Sequence, residues 1–427
     1  MDVRNSVNVV RLFFAFAALF VFGCNQKSVS EVFPESSQKP GPACAAERVS
    51  SQFIVSWKDG RITNEKSVDE NTFIDDFLKP NLEEIERVEF DKKIELQPQD
   101  IYRPMPDGAV PVPSENWGID KIHAREVWDA GYRGAGVKVA VVDTPVDVHH
   151  PQLKSRVEVN LAELNGAKGV DDDGNGFVDD VYGWDFFADQ PMDGISEPSE
   201  VKHGSHVSGI ILADPSAGSV EGVAPEAHLV ATSFIKSDSG GGYLSGGITA
   251  MKAAADRGAK IINASWGGGA CSTTLKTVMS TLAKKDVLIV VAAGNNEPQG
   301  LDLDRNPVYP AAFNLENQVT VAASNSNDRI ASFSNTSFAL VHLAAPGVGI
   351  VSTVPLGTET MDGTSMAAPF VAGAAAVLMG AKPSATLSQI RYALLKGVDV
   401  PNNSEFRVQT DGRLNLKKSL DYLLSQP

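Results

Sequence analysis

Three short motifs in this chain carry residue types that together can activate a hydroxyl group. Asp143 ends an apolar run at 139–142, His203 opens the stretch HGSHVSG, and Ser365 lies within GTSMAAP. A serine hydroxyl is a weak nucleophile at neutral pH and needs a neighbouring base. Histidine suits that role, and a buried carboxylate can orient its imidazole. Because the motifs are far apart in the chain, only folding can bring them together.

The elements around these motifs predict an α/β fold with a doubly wound, mostly parallel sheet and helices on both of its faces. Apolar strand-like runs lie at 137–142, 229–235, 260–262, 287–291 and 319–322, and helical stretches such as 248–257 and 272–283 lie between them. Unbroken apolar strands that alternate with helices are typical of a parallel sheet covered on both sides. Ligand sites of such sheets lie at the carboxyl ends of the strands.

The three motifs and their order, Asp143, His203 and Ser365, resemble the subtilisin-like serine proteases (the subtilase, or peptidase S8, family). The resemblance runs from about residue 117 to the C-terminus. It implies a serine endopeptidase that cleaves polypeptides through an Asp-His-Ser triad and an acyl-enzyme intermediate, with no organic cofactor. It also implies that Asn295, in VAAGN, donates to the oxyanion together with the Ser365 N–H. The chain contains no Gly-x-Ser-x-Gly motif, which argues against an esterase or lipase.

The same resemblance implies two strands that clamp an extended peptide substrate through its main chain. One is the stretch NASWGG, beside the primary specificity pocket, and the other is SGGG at 239–242. The substrate-binding residues implied are Ser265, Trp266, Gly267, Gly240 and Gly241.

An acidic loop at 169–180, GVDDDGNGFVDD, has the D-x-D-x-N-G spacing of a calcium loop. Oxygen ligands at alternate positions, with a glycine at the turn, can surround one structural Ca²⁺. Similar loops occur in some bacterial subtilisin-like proteases. The twelfth position is Tyr182 and not glutamate, so the loop is no EF-hand. The alternative is a solvated turn. The candidate ligands are Asp171, Asp173, Asn175, the Phe177 carbonyl, Asp179 and Asp180.

The N-terminus has the pattern of an export signal. Arg4 and Arg11 precede an apolar run at 12–22, which is shorter than a membrane-spanning helix. The end of the run resembles a bacterial lipobox, which implies lipidation of Cys24. A plain signal peptide cut nearby is the alternative. We expect an exported lipoprotein precursor in the outer or cell membrane, with a periplasmic or extracellular mature enzyme.

Four segments are predicted between the signal (1–24) and the C-terminus. Residues 25–48 are rich in serine, proline and glutamine and predict a flexible tether. Residues 49–100 predict a small α+β unit, of βαβ type, with strands at 52–57 and 93–96 and a helix over 73–88. Residues 101–116 contain several prolines and predict an exposed linker, and residues 117–427 form the catalytic domain.

The small unit at 49–100 resembles the inhibitory propeptide of the family. This resemblance implies a zymogen that cleaves itself, with its own propeptide as a partner. If Cys24 is lipidated, the anchor lies on the propeptide side. A cut within about 97–116 would then release the protease from the membrane.

Charge and cysteine content exclude several function classes. The 427 residues carry a net charge of −16, so the chain is repelled by phosphate backbones and nucleic-acid binding is not expected. Three cysteines are too few for a disulfide scaffold. Cys44 and Cys271 can pair in an oxidising compartment, but their spacing does not decide it.

Two hypotheses from different classes therefore remain. The first is a secreted serine endopeptidase. The second is a catalytically inert relative that uses the same fold for binding or scaffolding. All four catalytic positions are filled in this chain, which favours the enzyme.

Overall fold

The structure is a computed structural model of the chain, and it describes residues 27–36, 46–96, 115–194, 201–236, 241–269, 271–402 and 406–427. The predicted signal with Cys24, the middle of the predicted tether, most of the linker and Gly240 lie outside the described residues. We call residues 27–96 the N-terminal unit and residues 115–427 the large unit.

The large unit is built on a ten-stranded sheet in the order β15-β16-β12-β11-β10-β9-β4-β7-β5-β6. The strands from β16 to β5 in this order pair in parallel, and the outermost strand at each edge pairs antiparallel. The predicted parallel sheet is confirmed. Its strands are β4 (Lys138–Asp143), β5 (Gly183–Asp185), β6 (Gln190–Pro191), β7 (His228–Ser233), β9 (Ile261–Ala264), β10 (Leu288–Ala292), β11 (Gln318–Ser324), β12 (Leu343–Pro346), β15 (Val398–Asp399) and β16 (Arg413–Leu414).

Helices cover both faces of this sheet because successive side chains of its strands point to opposite sides. In β4, Val139 and Val141 belong to the apolar core on the side of α6 and α9, whereas Ala140 and Val142 belong to the core on the side of α7. The helices are α3 (Trp117–Lys121), α4 (Ala124–Asp129), α5 (Leu161–Asn165), α6 (Lys202–Leu212), α7 (Leu244–Asp256), α8 (Thr273–Leu282), α9 (Thr364–Ala381), α10 (Leu387–Lys396) and α11 (Leu416–Ser425). A hairpin of β13 (Ile350–Val354) and β14 (Gly357–Met361) packs against α6.

The N-terminal unit is an antiparallel sheet in the order β2-β1-β3, packed on a short irregular helical segment. Its strands are β1 (Arg48–Trp57), β2 (Ile62–Lys66) and β3 (Ile85–Glu95), and its helical segment is α2 (Glu70–Thr72) followed by a π-helix (Phe73–Leu78) and a 3₁₀ turn (Lys79–Asn81). The predicted helix over 73–88 is therefore wrong beyond residue 81. Ile85 and Val88 belong to β3, where pairing with β1 overrides the helical spacing of the apolar residues.

The N-terminal unit also includes residues that the sequence assigned to a flexible tether. Residues Val29–Val32 form the short helix α1, and Phe33 is fully buried against Phe53 and Phe90. Glu35 accepts the N–H of Phe90 at 2.9 Å and contacts the buried Lys92 ammonium at 3.1 Å. The tether prediction is wrong for residues 29–36, because burial of Phe33 offsets the cost of ordering this polar segment.

The two units share a strand pairing. β3 pairs antiparallel with β8 (Gly241–Tyr243), so that Lys93, Ile94 and Glu95 face Tyr243, Gly242 and Gly241. The N-terminal sheet thus gains a fourth strand from the large unit.

Among the described residues, one helix is long and apolar enough to cross a membrane by length and composition. It is α9, and 83% of that segment is buried inside the protein. It is a core helix of the large unit, since its small residues pack between α6 and the sheet.

Candidate active site

Asp143 and His203 form a buried pair at the carboxyl end of β4. Asp143 is the last residue of the strand, and His203 lies in the first turn of α6. Nδ1 of His203 is 2.5 Å from Oδ1 of Asp143, and both side chains are 0% exposed. The same carboxylate oxygen accepts the Thr144 N–H at 2.7 Å. A carboxylate at Nδ1 keeps a proton on that nitrogen, which leaves Nε2 as the nitrogen that acts as a base.

Ser365 lies in the first turn of α9, which packs against α6. Its hydroxyl donates to the carbonyl of Ser265 at 3.0 Å, and the Ser265 hydroxyl donates to the carbonyl of Ser365 at 2.9 Å. Ser265 directly follows β9, which is the neighbour of β4 in the sheet. The serine is therefore held beside the strand that carries Asp143.

Asn295 follows β10, and Thr364 orients its side chain. Oδ1 of Asn295 accepts the Thr364 N–H at 2.9 Å and the Thr364 hydroxyl at 2.8 Å. Because the amide oxygen holds both bonds, Nδ2 is the group that this side chain offers as a donor. The neighbouring Ser365 N–H belongs to the first turn of α9, where amides have no acceptor within the helix. All four predicted catalytic residues thus lie at the carboxyl ends of neighbouring strands.

The α6 helix is fastened to the β13–β14 hairpin by His206, a residue to which the sequence analysis gave no role. Nε2 of His206 lies 3.1 Å from the carbonyls of both Ile350 and Glu359. Burial lowers the pKa of His206 from 6.5 to about 3, so the ring is neutral at physiological pH. The hydroxyls of Ser352 and Thr353 donate to carbonyls of the same helix. These contacts fix the helix turn that carries His203.

Two buried carboxylates of the N-terminal unit bind helix N-termini of the large unit. Asp91 accepts the N–H of Ser245 in the first turn of α7 at 3.0 Å and also accepts the Ser245 hydroxyl. Glu89 accepts the N–H of Thr274 in the first turn of α8 at 3.0 Å and the hydroxyl of Ser272 at 2.5 Å. A negative charge is favourable at the positive end of a helix. Burial raises the pKa of Asp91, and the bonds from Ser245 oppose that shift.

Comparisons with known proteins identify the family of this chain. Residues 134–413 match the model of the subtilase family (Peptidase_S8). The chain belongs to the subtilase family. It is 35% identical to subtilisin DY of Bacillus licheniformis over 280 residues, which is 65% of this chain and 89% of that protein. It is 36% identical over 279 residues to subtilisin E of Bacillus subtilis, 65% of this chain but only 64% of that protein.

A third relative of this subtilase is the major intracellular serine protease of Bacillus subtilis. It is 35% identical over 262 residues, which is 61% of this chain and 74% of that protein. With the family match, these relatives establish the chain as a serine endopeptidase.

Two of the residues predicted to bind the substrate use their side chains for contacts within the protein. Trp266 of this subtilase is 3% exposed; its indole N–H donates to the Val142 carbonyl at 2.9 Å and its ring packs on Phe234. Its side chain therefore belongs to the core on the α7–α8 face, and substrate binding through the main chain of this stretch stays a prediction. Ser265 uses its hydroxyl to hold α9.

The glycines predicted to line the cleft are used in two ways. Gly241 pairs with Glu95 of the N-terminal unit, which therefore covers the main chain of that strand. Gly267 is buried beside the Tyr309 carbonyl, where an added Cβ would lie 3.3 Å from that oxygen. Gly240 lies outside the described residues.

The acidic loop brings two of its predicted metal ligands together with a third acid. Oxygens of Asp171, Asp173 and Glu163 lie within 4.8 Å of one another. Glu163 is on α5, outside the loop motif, and was missed by the sequence analysis. It also accepts the N–H groups of Asp172, Asp173 and Asp179. Three carboxylates this close repel each other unless a cation or protons lie between them. Hard oxygen donors of this kind fit Ca²⁺.

Three other predicted ligands, Asn175, Asp179 and Asp180, have protein partners. Asp179 accepts the Gly169 N–H, and Oδ1 of Asn175 accepts the Phe177 N–H. Asp180 is buried, accepts an N–H of Asn160 at 2.6 Å and pairs with Arg257 at 3.5 Å. Burial raises the pKa of Asp180, and Arg257 opposes that shift. The three-carboxylate cluster thus lies nearer to α5 than the loop spacing alone indicates.

Proposed function

We propose that this subtilase hydrolyses peptide bonds through Asp143, His203 and Ser365, and that it is made as a self-processing precursor. The observation that carries the proposal is the 2.5 Å contact between Asp143 and His203 beside the helix that carries Ser365. An acid, a base and a hydroxyl at one sheet edge are the components of nucleophilic acyl transfer.

In the proposed reaction, Nε2 of His203 takes the Ser365 proton as Oγ attacks the substrate carbonyl. The negative oxygen that forms is bound by Nδ2 of Asn295 and by the Ser365 N–H. His203 then gives its proton to the leaving amine, and an acyl-enzyme remains. A water molecule deprotonated by His203 cleaves the acyl-enzyme, and the proton returns to Ser365 as the acid product leaves. Asp143 holds the imidazole in place and stabilises its charged form.

The N-terminal unit is proposed to be the inhibitory propeptide. Three contacts support this role: the capping of α7 by Asp91, the capping of α8 by Glu89, and the pairing of β3 with β8. The last of these covers main-chain groups of Gly241 that a peptide substrate would use. A cut within 97–116 would break the main chain between the N-terminal unit and the protease.

A structural calcium ion is proposed at Asp171, Asp173 and Glu163. Bound there, it would neutralise the repulsion among the three carboxylates and fix the loop to α5. No catalytic step involves it.

Export and lipidation at Cys24 are proposed from the N-terminal sequence pattern alone. Family membership does not decide the compartment, because one relative is named an intracellular protease. The proposal places the precursor on a membrane and its substrates among exported or external polypeptides.

A fluorophosphonate probe tests the catalytic proposal, because it reacts with an activated serine. We expect labelling of the processed wild type and of the control Ser425→Ala, whose side chain is exposed at the C-terminal end of α11. We expect no labelling of Ser365→Ala. Equal labelling of Ser365→Ala would assign the nucleophile elsewhere. A processed wild type that is not labelled in the presence of calcium would favour an inert scaffold.

A further inference from the structure

Cys271 takes part in a disulfide. It directly precedes Ser272, the N-cap of α8, whose hydroxyl donates to Glu89 of the N-terminal unit. The chain has three cysteines, so the partner within the chain is Cys24 or Cys44, both outside the described residues. We infer that Cys44 is the partner and that the bond cross-links the N-terminal unit to the large unit.

The contacts of Gly269 bring the two chain segments together. Its carbonyl accepts the N–H of Ala46 at 3.2 Å and the N–H of Cys271 at 3.0 Å. Cys44 precedes Ala46 by two residues, and two residues span at most about 7 Å. A disulfide needs Cα atoms about 4.4–6.8 Å apart, which this tether allows. Among the described residues, no contact holds the segment next to Cys24 at Gly269.

The redox chemistry agrees with the proposed export. Forming the bond removes two electrons and two protons from the two thiols. The acceptor is an oxidising disulfide, which becomes a dithiol, and such oxidants act in export compartments. Cys271 is half-buried and lines a cleft of about 330 Å³ together with Lys276 and Tyr309. A small thiol reductant can therefore reach the bond.

The consequence concerns activation, and it rests on the proposed self-processing. A cut within 97–116 breaks the main chain but leaves the N-terminal unit attached through the disulfide. A tethered unit has an effective concentration in the millimolar range, so it rebinds quickly. Any lipid on Cys24 also stays attached to the protease. Release then needs two steps: cleavage of the main chain, and either reduction of the bond or destruction of the N-terminal unit.

Gel electrophoresis of the processed protein with and without reductant tests the cross-link. We expect one species without dithiothreitol and two species with it. Cys44→Ser and Cys271→Ser should each give two species in both conditions, and Cys24→Ser should behave as wild type. Mass spectrometry of unreduced digests should find a peptide pair joined through Cys44 and Cys271. Free Cys271, or Cys271 joined to Cys24, would overturn the inference.

A second protein separates this inference from the proposed self-processing. Ser365→Ala with the recognition sequence of a site-specific protease inserted within 101–112 can be cut without its own activity. Two fragments that stay together until dithiothreitol is added would support the cross-link even if the wild type never processes itself. Fragments that separate without reductant would overturn it.

Activity gives an independent measure of the tether. After dilution, dithiothreitol should raise peptide hydrolysis by processed wild type by roughly tenfold or more, because the unit loses its high local concentration. Processed Cys44→Ser should not respond to dithiothreitol. An equal response from both proteins would contradict the proposed role of the bond in activation.

Discussion

Ser265 and Ser365 are joined by two hydrogen bonds that run in opposite directions. The Ser365 hydroxyl donates to the Ser265 carbonyl at 3.0 Å, and the Ser265 hydroxyl donates to the Ser365 carbonyl at 2.9 Å. Asn263 in turn donates to the Ser265 hydroxyl at 2.9 Å. The end of β9 therefore fixes the first turn of α9, and the hydroxyl proposed as the nucleophile donates to a carbonyl. For the proposed attack, the Ser365 hydroxyl must turn away from that carbonyl.

Ser265→Ala removes a hydroxyl that donates to Ser365 and accepts from Asn263. At about 1 kcal/mol for each neutral hydrogen bond, kcat/KM should fall by about fivefold to thirtyfold. The Ser265 carbonyl is kept, so Ser365 retains its resting contact. Steady-state hydrolysis of a peptide substrate measures the effect, with Ser425→Ala as the control. A loss of several thousandfold would mean that Ser265 itself takes part in the chemistry and does not merely hold α9.

Asn295→Ala should lower kcat by about 10²–10³-fold with little change in KM, because an oxyanion donor acts mainly in the transition state. Thr364→Val keeps the backbone bond to Asn295 but removes the hydroxyl, so a loss of about tenfold or less is expected. Thr364→Ser, which restores a hydroxyl, should recover most of it. If Asn295→Ala raised KM and left kcat unchanged, the side chain would bind the substrate and not the oxyanion.

The residues proposed as catalytic could be located in the sequence because each belongs to a local motif at the end of an apolar strand or the start of a helix. The residues that position them could not be predicted, since Thr364 and Ser265 act through hydrogen bonds between segments that are distant in the chain. Glu163 lies on α5, before the loop motif, and only folding brings it to Asp171. No spacing rule within the loop could have found it.

Tertiary packing also explains where the sequence predictions were wrong. The helical spacing of Ile85 and Val88 also suits one strand when a bulge shifts the register, and the pairing with β1 contains such shifts. Phe33 lies in a polar stretch whose composition predicts a tether, but the apolar side chains that bury it belong to β1, β3 and the π-helix.

Asp91→Ala should destabilise the precursor by about 1–3 kcal/mol, because the buried N–H and hydroxyl of Ser245 lose their acceptor. Burial raises the pKa of Asp91, because removing the charged carboxylate from water costs free energy. This cost offsets part of the stabilisation that the carboxylate provides, which favours the lower part of that range. Urea unfolding of the Ser365→Ala precursor measures the change without self-digestion. Asp75→Ala, which removes an exposed carboxylate of the same unit, should change stability by about 0.5 kcal/mol or less. Equal effects of the two variants would refute the capping role.

Acid should destabilise the large unit through two buried histidines. Burial lowers the pKa of His206 and of His342 from 6.5 to about 3, with Arg391 adding to the effect at His342. The folded state therefore resists protonation that the unfolded chain accepts. The stability that each neutral ring contributes is fully present above pH 6.5 and is lost as the pH falls toward 3, by about 1.4 kcal/mol per pH unit for each histidine.

Urea unfolding of the Ser365→Ala protein between pH 7 and 4 checks this slope. His342→Asn should reduce the dependence of unfolding free energy on pH by about 1.4 kcal/mol per unit, whatever its effect at pH 7. A slope that His342→Asn does not change would mean that this ring is already charged in the folded protein.

Calcium should stabilise the protein through Glu163 as much as through the loop. At a free concentration about one hundred times Kd, one bound ion adds about 2.7 kcal/mol to the free energy of unfolding. Glu163→Gln and Asp171→Asn should both abolish the rise in melting temperature that calcium causes and chelator removes, because each takes one charge from the three-carboxylate cluster. Asp193→Asn, an exposed acid on a different turn, should keep the full response. If calcium raised the melting temperature of Glu163→Gln normally but not that of Asp179→Asn, the ion would be bound by the loop alone, as the D-x-D-x-N-G spacing indicates.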